Sequence, residues 1–396
     1  MDKIAVFLLS GYGFAGLEGE TAKRVARHLV EKDKERRMDV FETDKDRSLR
    51  IKDLIVSGGY EAFCVIKDNV FITAGGIEVL AKIALNKTEF AAVGPVSNES
   101  KNLQQRFSPP FLYQTPTVFE WAADEVYREY KESVIVAYEI DDFCFVTRRD
   151  LLENMPEDLP IIDLPEVLNK NGLRQGIARG IYAHCYRNCY ESGREDLMAY
   201  VPLTAQKVLD VGCARGLFGD LLKRRQKCSV TGIDSDYELL AATGERLDKI
   251  LHGNIEEIVE NGNLGVYDCI VCGDVIEHLS NPWKVLKGLR NHLSQGGLVI
   301  ASTPNINNWA IIYDMLKGRW DYVPFSILSG THIRFFTRQT LTELFEYAGY
   351  KVLKTIYQCV GAPPEGREFI KSLQKTIPDL SEDDLNASEI VIVAEA

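Results

Sequence analysis

The stretch Lys207–Leu222, KVLDVGCARGLFGDLL, decides the fold of the C-terminal half of this chain. Val208–Val211 is a short apolar run, which predicts a buried parallel strand. A turn with Gly212 and Gly216 follows, and a helix is predicted to begin at Phe218. A glycine lets a ligand approach the backbone, and the first helical turn offers free N–H groups to its polar end. The stretch therefore predicts a binding site for a nucleotide-like ligand.

The spacing of the glycines argues against a dinucleotide. The dinucleotide fingerprint is G-x-G-x-x-G, and here Ala214 stands in place of the second glycine. The acidic residue before the turn, Asp210, gives the run D-V-G-C-A-R-G. This run resembles motif I of the class I S-adenosylmethionine-dependent methyltransferases, acidic-x-G-x-G-x-G. The resemblance implies that Asp210 orients the turn and the methionyl amine of the cofactor, and that Gly212, Ala214 and Gly216 line its site.

Further segments resemble the same family, in the family's order, over roughly residues 180–396. They are Ser229–Asp234, Gly253–Glu256, Tyr267–Pro282, Leu293–Asn305 and Thr331–Tyr350. The last of them is similar to methyltransferases of ubiquinone and polysaccharide biosynthesis. The resemblance implies that Asp234 accepts hydrogen bonds from the ribose hydroxyls, as an ionised carboxylate can. It also implies that Asn254, where the family usually has Asp, and Ile255 bracket the adenine, and that Asp274 faces the methionyl end.

The N-terminal part resembles a second family over roughly residues 60–155. The segments AFCVIKDNVFITAGGIEVLAKI, FAAVGPVSN and IDDFCFVTRRDLLE look like the central part of A-type nucleotide-sugar glycosyltransferases. That family's metal-binding acidic motif falls on Lys67, Asp68 and Asn69, so only Asp68 is retained. A metal that bridges phosphates usually keeps one or two carboxylates. We therefore expect a degenerate domain for glycan recognition or support, with active glycosyl transfer and a plain dimerisation domain as alternatives.

Alternating strand and helix patterns predict an α/β protein of two domains. The predicted domains are 1–155, glycosyltransferase-like, and 174–396, a doubly wound Rossmann-like methyltransferase sheet with a reversed terminal hairpin. Residues 156–173, with three prolines and several acids, are predicted to be the linker. Helices are predicted over Glu18–Lys34 and over Arg174–Glu191, the latter folding over the cofactor.

Composition excludes several classes of protein. The chain has 396 residues and a formal net charge of −12, which argues against a nucleic-acid-binding surface. No apolar run reaches the ~18 residues that a membrane span requires. The N-terminus has no cleavage-site pattern of a signal peptide, so we expect a cytoplasmic protein. A homodimer is possible.

No metal site is predicted. The nine cysteines, an odd number without an export signal, are expected to be reduced thiols. Cys269 and Cys272 form a C-x-x-C on a predicted buried strand, where zinc or redox chemistry is not expected. His184, Cys185 and Cys189 lie at helical spacing but lack a fourth ligand.

The sequence offers candidates for acceptor chemistry. A hydroxyl acceptor needs a base, and His332 and His278 are the candidates because imidazole titrates near neutral pH. Asp274 is expected beside them. Aromatic residues of the segment after Leu298–Ser302, among them Trp309, either stack on a sugar or fill a lid.

Three functions follow from these expectations. The first is O-methylation of a sugar or glycan intermediate with S-adenosylmethionine as cofactor. The second is a bifunctional glycosyltransferase and methyltransferase of surface polysaccharide biosynthesis. The third is a non-enzymatic binding protein that keeps the cofactor pocket only for its fold.

Overall fold

The computed structural model describes residues 3–9, 38–43, 49–56, 59–185, 193–241, 243–260, 264–323 and 326–396. The predicted helix Glu18–Lys34 lies outside these residues. The chain divides into two compact units, Met1–Arg187 and Asn188–Ala396. Each unit is built on a β-sheet of its own.

Eight strands form the sheet of the first unit. They are β1 (Ile4–Leu9), β2 (Met38–Thr43), β3 (Ala62–Lys67), β4 (Val70–Ile72), β5 (Ala92–Ser97), β6 (Val134–Ala137), β7 (Cys144–Arg148) and β8 (Gln175–Cys185). Their order is β2-β1-β3-β7-β5-β8-β4, and β6 also pairs with β8. β1 is parallel to β2 and β3, and β5 is parallel to β8, whereas β7, β4 and β6 pair antiparallel. The prediction of a mixed α/β sheet is confirmed.

Five α-helices are described in the first unit, besides a 3₁₀ turn at Ile161–Asp163. They are α1 (Ile51–Val56), α2 (Ala74–Asn86), α3 (Pro116–Tyr130), α4 (Arg149–Leu152) and α5 (Leu164–Lys170). The two longest begin at a threonine whose hydroxyl accepts a backbone N–H of the first turn: Thr73 from Gly76, and Thr115 from Val118.

The predicted helix Arg174–Glu191 is wrong in its described part, because Gln175–Cys185 is strand β8. This strand lies between β5 on one side and β4 and β6 on the other, and nine of its eleven residues are buried. A strand covered on both faces shows no alternation of polar and apolar residues. The helical spacing of its apolar residues was therefore misleading, because nearly every position of a fully buried strand can be apolar. Gly176 and Gly180 were a signal against a helix.

The predicted linker 156–173 is also folded. It contains the 3₁₀ turn and α5, and it belongs to the first unit, whose division from the second falls at Arg187. Buried Gln175 fixes the end of this segment, because its amide donates to the carbonyl oxygens of Pro165 and Tyr138 at 2.7 and 3.0 Å. The prolines that suggested a linker instead mark the starts of short helical turns.

Seven strands form the sheet of the second unit. They are β9 (Lys207–Val211), β10 (Ser229–Asp234), β11 (Lys249–His252), β12 (Tyr267–Gly273), β13 (Leu293–Pro304), β14 (Lys351–Cys359) and β15 (Ala387–Glu395). The order is β11-β10-β9-β12-β13-β15-β14; the first five are parallel, and β15 is antiparallel to both neighbours. The predicted doubly wound sheet with a reversed terminal hairpin is confirmed.

Nine α-helices are described in the second unit, besides a 3₁₀ turn at Ile276–His278. They are α6 (Glu195–Met198), α7 (Leu217–Arg225), α8 (Tyr237–Ala241), α9 (Ile255–Glu260), α10 (Pro282–Arg290), α11 (Trp309–Leu316), α12 (Arg338–Tyr347), α13 (Pro364–Thr376) and α14 (Glu382–Asn386). None of the helices in the described ranges is both long and apolar enough to cross a lipid bilayer.

The core of the second unit lies on both faces of its central strands. Leu209 of β9 and Cys272 of β12 pack in one cluster of buried residues, and Val208 and Cys269 pack in another. Successive side chains of a strand point to opposite faces, which explains the alternation. The two cysteines of the C-x-x-C motif are therefore buried in different clusters.

Candidate active site

The strand order of the second sheet reverses between β9 and β12. From β9 the chain continues to β10 and β11 on one side, and from β12 it continues to β13 on the other. In open parallel sheets ligands bind outside the carboxyl ends of the strands at such a switch point. The turn that begins at Gly212 follows β9, and Asp274 follows β12, so both lie at this edge.

A direct hydrogen bond joins the turn after β9 to the acid at the end of β10. The N–H of Ala214 donates to Oδ2 of Asp234 at 2.8 Å, and the N–H of Asp236 donates to Oδ1 at 2.9 Å. Each oxygen of an ionised carboxylate accepts two hydrogen bonds, so each keeps a lone pair for a further donor. The structure thus brings together two sites that lie twenty residues apart in the sequence.

The turn itself uses left-handed backbone conformations. Gly212 and Gly216 have φ of +73° and +74°, and Ala214 has φ of +46°. A Cβ atom on Gly212 would lie 2.6 Å from Cγ2 of Val275. Val275 therefore packs where this Cβ would lie, and the glycine is needed for packing between the turns after β9 and β12, while its role at the cofactor stays a prediction.

Asp210 is a buried acid with an unsatisfied oxygen. Its side chain lies on β9 and is 5% exposed, and its Oδ2 has no hydrogen-bond partner among the described residues. Burial, together with the charge of Asp234, raises its pKa to about 8. The ionised form of this carboxyl group is unfavourable without a partner, and a nearby cationic group would stabilise it. The methionyl amine of the expected cofactor is such a group.

The segment predicted to bracket an adenine lies next to Asp234. The N–H of Gly253 donates to the backbone oxygen of Asp234 at 2.9 Å. Asn254 is exposed and accepts the N–H of Glu256 at the start of α9 at 2.8 Å, and Ile255 is buried. The structure therefore places this segment beside the carboxylate, and the adenine contact itself stays a prediction.

Asp274 is held by an ion-pair network that the sequence did not reveal. Ser302 of β13 donates its hydroxyl to Oδ1 at 3.0 Å, and Arg194 contacts Oδ2. The same guanidinium binds Glu389 of β15 at 2.6 Å and Asp196 at 2.9 Å. Burial and the charge of Asp274 raise the pKa of Glu389 to about 8. No motif marks Arg194 or Glu389, because Arg194 lies 80 residues from Asp274 and 195 residues from Glu389 along the chain.

The two predicted histidines lie side by side. The rings of His278 and His332 are edge to face, with centroids 4.9 Å apart. Burial lowers the pKa of both imidazoles. Glu277 joins them: its Oε1 is 4.0 Å from Nε2 of His332, and its side chain is 1% exposed. Sequence reasoning missed Glu277, although an acid directly before a candidate histidine was a usable signal.

The aromatic residues after β13 divide into two groups. Trp309 is 4% exposed, and its ring covers Gly366 of α13, so it belongs to the core and offers no face for stacking. Trp320 and Tyr322 are about two-fifths exposed, with ring centroids 6.5 Å apart. Only these two remain candidates for contact with an acceptor.

The corresponding positions of the first unit are occupied by protein contacts. Lys67 places its Nζ 2.5 Å from Asp142, and Asp68 is fully buried, with its N–H donating to the oxygen of Leu9 at 3.0 Å. The loss of the metal motif stays a prediction.

Comparison with known proteins identifies the C-terminal domain. Residues 182–355 match the family described as "Methyltransferase domain". The chain is 31% identical over 141 residues to the ubiquinone biosynthesis O-methyltransferase of Dechloromonas aromatica, covering 33% of this chain and 58% of that protein. The enzyme of the same name from Acinetobacter baumannii is 31% identical over 137 residues, covering 33% and 56%. The chain thus spans a little over half the length of the curated relatives it matches.

Two of the solved structures that match this chain are methyltransferases. One is a SAM-dependent methyltransferase from Archaeoglobus fulgidus, with 18% identity and a TM-score of 0.40, covering 53% of this chain and 96% of that one. The other is the N-methyltransferase NodS from Bradyrhizobium japonicum in complex with S-adenosylhomocysteine, with 15% identity and a TM-score of 0.34, covering 52% and 88%.

The chain therefore contains a methyltransferase domain of Rossmann-like fold. The prediction of an enzyme domain that uses S-adenosylmethionine is confirmed, and the non-enzymatic alternative is disfavoured. The glycosyltransferase-like character of the first unit and the roles of the individual site residues stay predictions.

Proposed function

We propose that this protein is an S-adenosylmethionine-dependent O-methyltransferase that acts on a hydroxyl group of a sugar or glycan intermediate. The observation that carries the proposal is the hydrogen bond between Ala214 and Asp234, which joins the motif I turn to the ribose-binding acid. Beside it lies the unsatisfied carboxylate oxygen of Asp210. Together they supply an acceptor for a diol and one for an ammonium group at the same sheet edge.

The residues at this edge suit the cofactor. Asp234 accepts the ribose hydroxyls through its remaining lone pairs, Asp210 pairs with the methionyl amine, and Asn254 and Ile255 bracket the adenine. When bound, S-adenosylmethionine supplies a methyl group made electrophilic by its sulfonium, and transfer of this methyl to an acceptor oxygen releases a proton. Alignment of the two reactants accounts for roughly 7–11 kcal/mol of such a barrier.

Asp274 and the two histidines form the acceptor side. Asp274 lies at the end of β12, next to the turn after β9 in the sheet, and Arg194 and Ser302 fix its carboxylate. His278 and His332 follow within the same part of the fold, with their rings in contact. We assign the removal of the hydroxyl proton to this pair, because a base at this place contributes about 10²–10⁴ in rate.

The sugar acceptor rests on the resemblance of the first unit to nucleotide-sugar enzymes. A phenolic hydroxyl is the second candidate, because the curated relatives are named for ubiquinone biosynthesis. The bifunctional alternative has less support, since only Asp68 of the expected acidic motif is retained and its neighbour in the sequence, Lys67, forms an ion pair with Asp142. We propose for the first unit a role in binding the acceptor's glycan portion rather than glycosyl transfer.

Titration calorimetry of the full chain with S-adenosylmethionine tests the cofactor assignment. Asp234→Asn removes the charge but keeps the shape, so we expect about 10- to 100-fold weaker binding from the loss of charge-assisted hydrogen bonds. Asp220→Asn is the matched control, because Asp220 forms an ion pair with Arg224 within α7. Equal affinity of all three proteins would refute the assignment.

A screen with isotopically labelled methyl groups tests the acceptor class. Simple catechols, free sugars and nucleotide sugars are offered in parallel to the same enzyme. Label in a sugar fraction that resists mild base, as a methyl ether does, supports the proposal. Label confined to catechols transfers the assignment to the phenolic class.

A further inference from the structure

An open groove lies on the second unit between α10 and α12. Its volume is about 450 Å³, and its walls come from the start of α10, the segment just before α12 and one stripe of α12 itself. Phe336 and Leu344 line it and are buried, so they form its floor. None of the residues that line the groove has a place in the cofactor site described above. The groove is therefore a separate place for a ligand.

Two aromatic side chains of the groove are exposed to solvent. Trp283, at the start of α10, is 41% exposed, and Tyr347, at the end of α12, is 77% exposed. Exposed apolar surface that is gathered in one place and rimmed by polar residues is typical of ligand-binding grooves. Each of these rings combines a flat apolar face with a polar tip, the indole N–H or the phenolic O–H. The groove thus offers a ligand two such faces.

The groove also contains a base and an acid that do not pair with each other. Arg334 donates to the backbone oxygens of Ser280 and Ile333 at 2.7 and 3.3 Å, and its Nε has no hydrogen-bond partner among the described residues. Glu343 accepts a hydrogen bond from the side-chain amide of Gln339 at 2.9 Å. A guanidinium only donates, and an ionised carboxylate only accepts. A ligand that suits both groups must therefore carry donors and acceptors side by side.

We infer that this groove binds a neutral sugar ring. A pyranose has a face of C–H bonds that packs on an aromatic ring, and its neighbouring hydroxyls each donate and accept. One hydroxyl can accept from Arg334 while the next donates to Glu343. An anionic ligand would be repelled by the carboxylate and a cationic one by the guanidinium. The volume of the groove lies in the range of small-molecule sites.

The groove is attached to the acceptor side of the proposed active site. The N–H groups of Ile333 and Arg334 both donate to the backbone oxygen of Glu277 at 3.0 Å, in the 3₁₀ turn after β12. His332 precedes Arg334 by two residues, so the Cα atoms of these two residues are at most ~7 Å apart. This distance is comparable to the length of one sugar unit, so a ligand in the groove lies close to the proposed base.

The groove also has a role in substrate choice, and this part of the inference rests on the proposed function. A glycan acceptor that presents one hydroxyl to His332 places a neighbouring sugar unit in the groove. Binding energy from a unit that does not react holds the reacting hydroxyl in line with the methyl group of the cofactor. The groove thus favours acceptors of two or more sugar units over single sugars.

Sugar binding is measured by fluorine NMR on the full chain, with 5-fluorotryptophan in place of its four tryptophans. Among these four, Trp283 is the one that lines the groove, and Trp283→Phe identifies its signal. The probes are the methyl glycosides of glucose, galactose, mannose and N-acetylglucosamine, without S-adenosylmethionine. We expect at least one probe to shift the Trp283 signal more than the other three signals. The dissociation constant should be about 1 mM, as suits a ligand of about a dozen non-hydrogen atoms.

Two variants test the contacts. Tyr347→Ala removes an aromatic face, and Glu343→Gln removes the charge of the acceptor, so each should weaken binding about 3- to 10-fold. Glu346→Gln is the matched control, because Glu346 is an exposed acid of the same helix that does not line the groove. The inference is overturned if no probe shifts the Trp283 signal at about fifty times the expected constant. It is also overturned if both variants bind as the wild type does, or if Glu346→Gln weakens binding as much as they do.

The same samples separate this inference from its rivals. A Trp283 signal that moves with protein concentration in the absence of sugar would assign the groove to a second copy of the chain and overturn the inference. If a sugar binds with the expected variant pattern while calorimetry detects no binding of S-adenosylmethionine, the proposed function falls and the groove stands. If the cofactor binds and sugars are methylated while no probe shifts the Trp283 signal, the groove falls and the proposed function stands.

Discussion

Asp210→Asn gives a sharp test of the site, because it separates stability from function. The carboxylate is buried on β9, one oxygen has no partner in the described structure, and the pKa is raised to about 8 by burial and by Asp234. The charged form is therefore unfavourable in the folded protein without ligand. An asparagine has nearly the same shape and carries no charge, so it should stabilise the empty protein near neutral pH.

The size of the effect follows from the difference between the folded and unfolded pKa. An aspartate in an unfolded chain has a pKa of ~3.9. The folded protein consequently keeps a proton that the unfolded chain has released, and stability falls as the pH rises from about 4 to about 8. Each pH unit in this window is worth about 1.4 kcal/mol, so the stability gap between variant and wild type should widen by about 3 kcal/mol from pH 5 to pH 7.

Hydrogen–deuterium exchange of peptides that cover β9 and β12 measures this gap within the second unit. Asp220→Asn, which removes an ion pair with Arg224 within α7, is the control for the loss of a carboxylate elsewhere in the same unit. The reasoning is refuted if the gap of Asp210→Asn is the same at pH 5 and pH 7, or if this variant is the less stable protein at pH 7. Calorimetry should show that the same substitution weakens S-adenosylmethionine binding.

Five further substitutions test contacts within the two units. Ala214→Gly should raise the free energy of unfolding by about 0.5–1 kcal/mol, because glycine adopts φ of +46° without strain. Gly212→Ala should lower it by more than about 1 kcal/mol, because the new Cβ would clash with Val275. Thermal unfolding measures both changes. Arg194→Met should cost about 3 kcal/mol in urea unfolding, and Glu389→Gln in the same chain should restore part of it, because the variant leaves Glu389 without its guanidinium partner. In the first unit, Arg148→Met should cost about 2–4 kcal/mol, measured by exchange in α2, because Arg148 donates to the oxygens of Ala84 and Phe90.

The local part of the site could be predicted from the sequence because local patterns encode it. The strand before Gly212, the turn and the start of α7 lie in one continuous stretch, and the acid at Asp234 ends the next strand. Parallel strands bring their carboxyl ends to one edge, so the meeting of Ala214 with Asp234 followed from topology alone. The terminal hairpin could also be predicted from the sequence, because its strands have regular lengths and apolar patterns.

The remaining features depend on contacts between distant residues. Whether Gln175–Cys185 is a helix or a strand was decided by the strands on both sides of it, which are distant in the chain. Arg194 became part of the site through Asp274 and Glu389, which lie 80 and 195 residues away. Val275 packs against Gly212, a contact that the sequence does not reveal. In each case the sequence gives the residue but does not show which distant residue it contacts in the folded protein.

Two unfavourable features of the second unit lie where the cofactor is proposed to bind. Asp210 is a buried acid with an unsatisfied oxygen, and Ala214 has a left-handed backbone conformation that disfavours a side chain. Both lie at the carboxyl end of β9. Asparagine at the first position and glycine at the second should stabilise the empty protein, as argued above. The carboxylate of Asp210 is explained if the ammonium group of the cofactor neutralises it, because binding then returns the free energy that the charge costs the empty protein.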